Sequence, residues 1–165
     1  MVTVSVSASQ KVLICGALVL GLFGFILAFF GLISAEDKCD GNCDNSYRLA
    51  QFSAWLQLFV YVGIAGAAFS GKTAQYTVII LTFLAICSTL CIFFADKGIT
   101  EADQYSNDED KETAASCYAC GFVFCTTADF LMIVILGLQV QNLEGAVKSD
   151  QNPMYQPSTE TPAGY

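Results

Sequence analysis

Four long apolar stretches, separated by short polar ones, dominate this chain. Positions 12–35, 49–70 and 73–95 carry no Asp, Glu, Lys or Arg, and 113–140 carries one, Asp129. Each is long enough for a helix to cross a bilayer, which takes about 20 apolar residues. No proline interrupts any of them, since all three prolines lie beyond position 150. The pattern predicts an all-α protein, an integral membrane four-helix bundle with a membrane domain over 12–141. The first stretch is too long, and lacks the cleavage context, for a removed signal peptide, and reads as a retained span. Positions 1–11 read as a mobile N-terminus and 142–165 as a disordered tail rich in Pro, Ser, Thr and Gln.

Composition strengthens this picture. Of 165 residues, 55% are hydrophobic and 13% charged, against about one quarter charged in soluble domains. Mean hydropathy is +0.55. The formal net charge of −8, with a single arginine, argues against nucleic acid as a partner, because phosphate contacts need a basic patch. The chain has no histidine, so Ser-His-Asp and Cys-His catalysis and His-ligated metal or haem are excluded.

An even number of spans places both termini on one side. The loops after spans one and three then share the other side. Lysine and arginine do not decide the orientation: Lys38, Arg48, Lys97 and Lys111 oppose Lys11, Lys72 and Lys148. Cysteines decide it better. Cys39 and Cys43 lie in the first loop and Cys117 and Cys120 at the start of span four, so the four gather on one face. Disulfides persist in oxidising compartments, which puts both loops outside or in a lumen and both termini in the cytosol. The outer loops hold most of the acid, from Glu36 and Asp37 through Glu101 to Glu112. They read as solvated acidic surface, with a cation-attracting rim as the sharper alternative.

Three sources of chemistry or contact stand out. Small residues let membrane helices approach closely, and Ala17-x-x-x-Gly21, Gly24-x-x-x-Ala28 and Gly63-x-x-x-Ala67 are candidates for packing within the bundle or, alternatively, for a homo-oligomer seam. The cysteine pairs allow three readings. They are structural disulfides, or a redox relay, or a four-cysteine zinc site. The order of loop pair then span-four pair is similar to that of the vitamin K epoxide reductase family, a resemblance that implies a quinone-linked thiol-disulfide oxidoreductase. Thiolate chemistry needs nearby positive charge, whereas acids flank these cysteines, and the structural reading is preferred. Asp129 lies near the middle of span four, where a charge is costly and polar residues tend to be functional. The expectation is an interhelical hydrogen bond from a neutral acid to Gln57, Tyr61, Thr82, Ser88 or Thr89. A proton or cation site, in a small transporter or an accessory subunit of a larger complex, is the alternative.

In the tail, Asn152-Pro153-Met154-Tyr155 fits Asn-Pro-x-Tyr, a turn-forming motif that resembles the internalisation signals read by cytosolic adaptors. The whole pattern resembles the MARVEL-type tetraspan membrane proteins over about 11–141. The likeness rests on the first span, a small polar loop, Tyr47-Arg48 leading into span two, a very short inner link, an acidic second loop and AASCYACGFVFCTTADFLM opening span four. It implies a non-enzymatic protein of the plasma membrane or of vesicles. Such a protein needs no cofactor. Its implied partners are membrane lipids, other membrane proteins or further copies of itself, and a cytosolic adaptor.

Overall fold

The computed structural model describes residues 8–37 and 45–150. Over them the chain is all-helical: α1 (Ala8–Asp37), α2 (Asn45–Phe69), α3 (Thr73–Gln104) and α4 (Glu109–Asp150). Each helix contains a segment long and apolar enough to cross a bilayer: Gln10–Asp37, Tyr47–Phe69, Gln75–Gln104 and Glu109–Leu138. The helices run alternately up and down. α4 packs most extensively, against α1 and α3, and α2 touches its two neighbours far less.

Helix ends differ from the sequence expectation at several points. α1 begins at Ala8 rather than at 12, and α4 runs on to Asp150, through the first part of the expected tail. The acidic stretch after span three is mostly helix, and only 105–108 connects α3 to α4. Local chemistry explains these bounds. Asp108 precedes α4, and the Lys111 N–H donates to its backbone O at 3.0 Å and to its Oδ1 at 3.4 Å, so the side chain adds a cap to the first turn. Glu109, Asp110 and Glu112 occupy the first turn, where the helix dipole favours negative charge. At the α2–α3 turn, Gly71 has φ +68. The Lys72 N–H donates to Ala67 O at 3.1 Å and the Gly71 N–H to Ala68 O at 3.4 Å, which is the pairing that closes a helix through a left-handed glycine.

The buried positions recur at alternating steps of three and four. They include 14, 17, 21, 24, 28, 31 and 35 on α1; 47, 50, 54, 57, 61 and 64 on α2; and 118, 122, 125, 129, 132 and 136 on α4. That 3.5-residue repeat keeps one stripe of each helix facing its partners in a slightly supercoiled bundle. The opposite faces carry large apolar side chains outward, among them Phe30, Phe59, Phe69 and Val78. A water-soluble protein rarely exposes so much contiguous apolar surface, whereas a membrane-spanning helix presents such a face to lipid.

Glycine sets the tightest seam. A Cβ on Gly24 would lie 2.8 Å from the Cys125 amide nitrogen and from Gly121 O, and one on Gly121 would collide with the Ala28 backbone. α1 and α4 therefore touch backbone to backbone through Gly24, Ala28 and Gly121. Gly31, where a Cβ would lie 2.5 Å from the Tyr118 amide nitrogen, extends the seam. Ala17 is buried in the same stripe, and Gly21 makes room for the Tyr61 ring of α2. The expectation for Gly63 needs correction. A Cβ there would meet nothing within 4 Å, because α2 stands away from α3 at that level, and only Ala67 of that pair is buried.

Candidate functional site

The centre of the bundle is polar. Asp129 of α4 and Gln57 of α2 are 0% and 1% exposed, although they sit on diagonally opposed helices. Both occupy the buried stripe of their helix, so helical phase alone aims them inward. Gln57 Nε2–H donates to Asp129 Oδ1 at 2.5 Å, and Gln57 Oε1 accepts from the Cys91 thiol at 3.6 Å. On the other side, Ser88 Oγ of α3 lies 3.3 Å from Asp129 Oδ2 and donates to Leu84 O at 2.8 Å. One carboxyl group thus ties α4 to both α2 and α3.

The Ser88 hydroxyl can donate to Asp129 Oδ2 at 3.3 Å and to Leu84 O at 2.8 Å; with its one hydrogen on Leu84 O, a neutral Asp129 would supply the proton for the other contact. Tyr61, 1% exposed, lies beside Asp129 and Gln57. Its hydroxyl donates to Cys125 O at 3.3 Å. The Cys125 thiol in turn donates to Gly21 O at 3.7 Å. Ser53, one turn before Gln57, is buried with its hydroxyl unpartnered.

Of the five partners proposed for Asp129 from sequence, Gln57 and Ser88 bond to it and Tyr61 adjoins it. Thr82 and Thr89 face outward and donate to carbonyls of their own helix, Val78 O and Ala85 O. The difference is helical phase: 88 lies beside 87 and one turn from 84 and 91 on the buried side of α3, whereas 82 and 89 are exposed.

The cysteines separate. Cys117 and Cys120, candidates for a disulfide to the first loop or to each other, are both free thiols here. Cys117 is partly buried and donates to Leu27 O of α1 at 3.8 Å, while Cys120 is exposed. The two are near neighbours, three apart on one helix, with Cys117 on the side that meets α1. Cys39 and Cys43, and with them any pairing from the first loop, lie outside the described residues, as do Asn152, Pro153 and Tyr155. Among the described residues no group of three or more His, Cys, Asp or Glu is arranged to hold a metal ion. Cys87, Cys91 and Cys125 are buried free thiols and Cys15 an exposed one.

A second polar knot was not anticipated from the sequence. Glu101, read there as solvated loop acid, has a side chain only 13% exposed. The Tyr47 hydroxyl of α2 donates to its Oε2 at 2.7 Å, and the Tyr118 hydroxyl of α4 donates to the same oxygen. Lys97 pairs with Oε1 at 3.4 Å and sits 5.4 Å above the Tyr47 ring. The signal was present in the spacing. The buried stripe of α3 runs 80, 84, 87, 91, 94, 98, and its next step is 101. Gln51 Nε2–H adds an α2-to-α1 link to Glu36 Oε2 at 2.6 Å.

No family model, curated protein or solved structure matches the chain.

Proposed function

We propose that this protein is a non-enzymatic tetraspan scaffold of the plasma membrane or of vesicle membranes. In this reading it organises membrane domains or vesicle traffic through lateral contacts with lipid and with other membrane proteins. Both termini lie in the cytosol, and the tail with its Asn152-Pro153-x-Tyr155 motif recruits an adaptor. The observation that carries the reading is the closure of the central polar cluster. Both oxygens of Asp129 are engaged by neighbouring helices and the residue is 0% exposed. An acid so held joins helices, whereas a transport site has to exchange its partners with a solute. The outward face, by contrast, is broad and apolar, which suits lateral association.

The thiol oxidoreductase reading requires Cys117 and Cys120 to alternate between dithiol and disulfide. Such chemistry needs positive charge near the thiolate, and the acids that flank these cysteines in the chain favour the scaffold over it. The test follows the protein in living cells. Deleting 151–165, or replacing Tyr155 with Ala, should leave the bundle inserted and redistribute the protein between surface and internal membranes. The wild-type protein should leave liposome proton flux at the level of protein-free vesicles. A proton flux that Asp129→Asn abolishes would replace the scaffold with a transporter. Quinone-dependent cycling of Cys117 and Cys120 would replace it with the oxidoreductase.

A further inference from the structure

Between α2 and α3, near the Gly71 turn, lies a cleft of about 540 Å³, within the roughly 300–1,000 Å³ of small-molecule sites. Its walls are apolar, with Phe59 and Val60 from α2 facing Ile80 and Phe83 from α3. It stays open because Gly63 and Gly66 present no side chain, and a Cβ at either would meet nothing within 4 Å. The end nearest the turn is polar: Ser70, Lys72 and Tyr76 line it. Lys72 is exposed and makes no ion pair among the described residues. It also begins α3, whose first turn has no side-chain cap, so the positive end of the helix dipole and the ammonium meet at the same mouth.

We propose that this cleft is a binding site for a membrane lipid with an anionic headgroup, one acyl chain lying between α2 and α3 and the headgroup held at Lys72. The inference rests on the membrane-spanning reading of the helices and deepens the lipid contacts of the proposed scaffold. The physical case has three parts. An apolar cleft open to a bilayer is solvated by acyl chains. The lysine stands at the level of the inter-helix turn, where headgroups lie. A basic side chain between helices at that level selects for negative headgroups. A second copy of the chain is the competing occupant, since Gly63 and Gly66 are small enough to admit a helix. The unpaired lysine at one end favours lipid, because the only charge the cleft offers a helix is one that the helix would have to answer.

The experiment uses full-length protein in nanodiscs of phosphatidylcholine and phosphatidylserine in equal parts, with retained lipid counted by native mass spectrometry. The wild type should retain phosphatidylserine preferentially. Lys72→Gln should cut that preference about fivefold, the worth of one basic residue near a charged headgroup, and Lys72→Arg should keep it. Gly63→Leu and Gly66→Leu fill the cleft and should reduce retained lipid of both kinds, with helicity and elution volume unchanged. An unaltered preference in Lys72→Gln, or undiminished lipid in both glycine variants, overturns the proposal. So does a cross-linked dimer that Gly63→Leu abolishes, which would give the cleft to a second copy. Failure of the wild type to insert as a helical protein would instead sink the membrane reading itself.

Discussion

Replacing Asp129 with Asn and, separately, with Ala tests the central claim that a neutral acid holds α4 to α2 and α3. Asn preserves shape and donor-acceptor pattern: Oδ1 can still accept from Gln57, and Nδ2–H can donate to Ser88 Oγ in place of the acid proton. Ala removes both bonds and strands the Gln57 amide in a core where it is 1% exposed. Interhelical hydrogen bonds in membranes are worth on average about 0.6 kcal/mol and at most about 1.7. Two of them, with the added cost of about 1–3 kcal/mol for a buried donor left unpaired, put Asp129→Ala at about 2–6 kcal/mol. Asp129→Asn should fall within about 0.5 kcal/mol of wild type, a small change by the same scale. Reversible unfolding in mixed micelles with rising dodecyl sulfate measures both. Trp55, which packs edge-on against Phe29 of α1 at 5.5 Å, serves as the fluorescent reporter. Equal destabilisation by Asn and Ala would refute the reasoning, since it would mean that the negative charge, and not the hydrogen-bond pattern, is what residue 129 contributes.

Other residues yield equally direct tests. Gly121→Leu should prevent α1 and α4 from closing, because the new side chain enters the Ala28 backbone; the variant should migrate as an expanded species or be degraded, while Gly63→Leu assembles normally. Glu101→Ala strands the Tyr47 and Tyr118 hydroxyls and the Lys97 ammonium, and should cost about 1.5–3 kcal/mol in the same micelle assay, the range for hydrogen bonds to a charged group. Glu101→Gln, which keeps an acceptor, should recover part of that loss, and equal effects of the two would contradict the shared-acceptor geometry. In native protein Cys120 should react with a small maleimide well before Cys117, and Cys87, Cys91 and Cys125 only after unfolding; fast labelling of Cys91 would mean that the core is open.

The sequence alone determined the membrane character and the four helices. In a bilayer a chain must satisfy its own backbone hydrogen bonds, and long uncharged segments without proline leave the helix as the solution. It also marked Asp129, since one acid in an otherwise apolar span is conspicuous whatever surrounds it. Gln57 and Ser88 stood among its candidate partners, but Thr82 and Thr89 were indistinguishable from them by depth, and only helical phase within an assembled bundle separated the four. Gly24 and Gly63 sat in identical small-residue motifs. The fold put one against Gly121 and left the other facing an open cleft, because a glycine's role depends on what approaches it, and a sequence does not say how far α2 stands from α3. Glu101 is the plainest case. Its charged neighbours made it look like solvent-facing loop, and its burial came from α3 continuing for two more turns and from two tyrosines, 54 and 17 residues away along the chain, meeting on one oxygen. Periodicity and hydropathy are local properties that survive in any fold; convergence of distant side chains is a property of the packed bundle, and only the tertiary structure decides it.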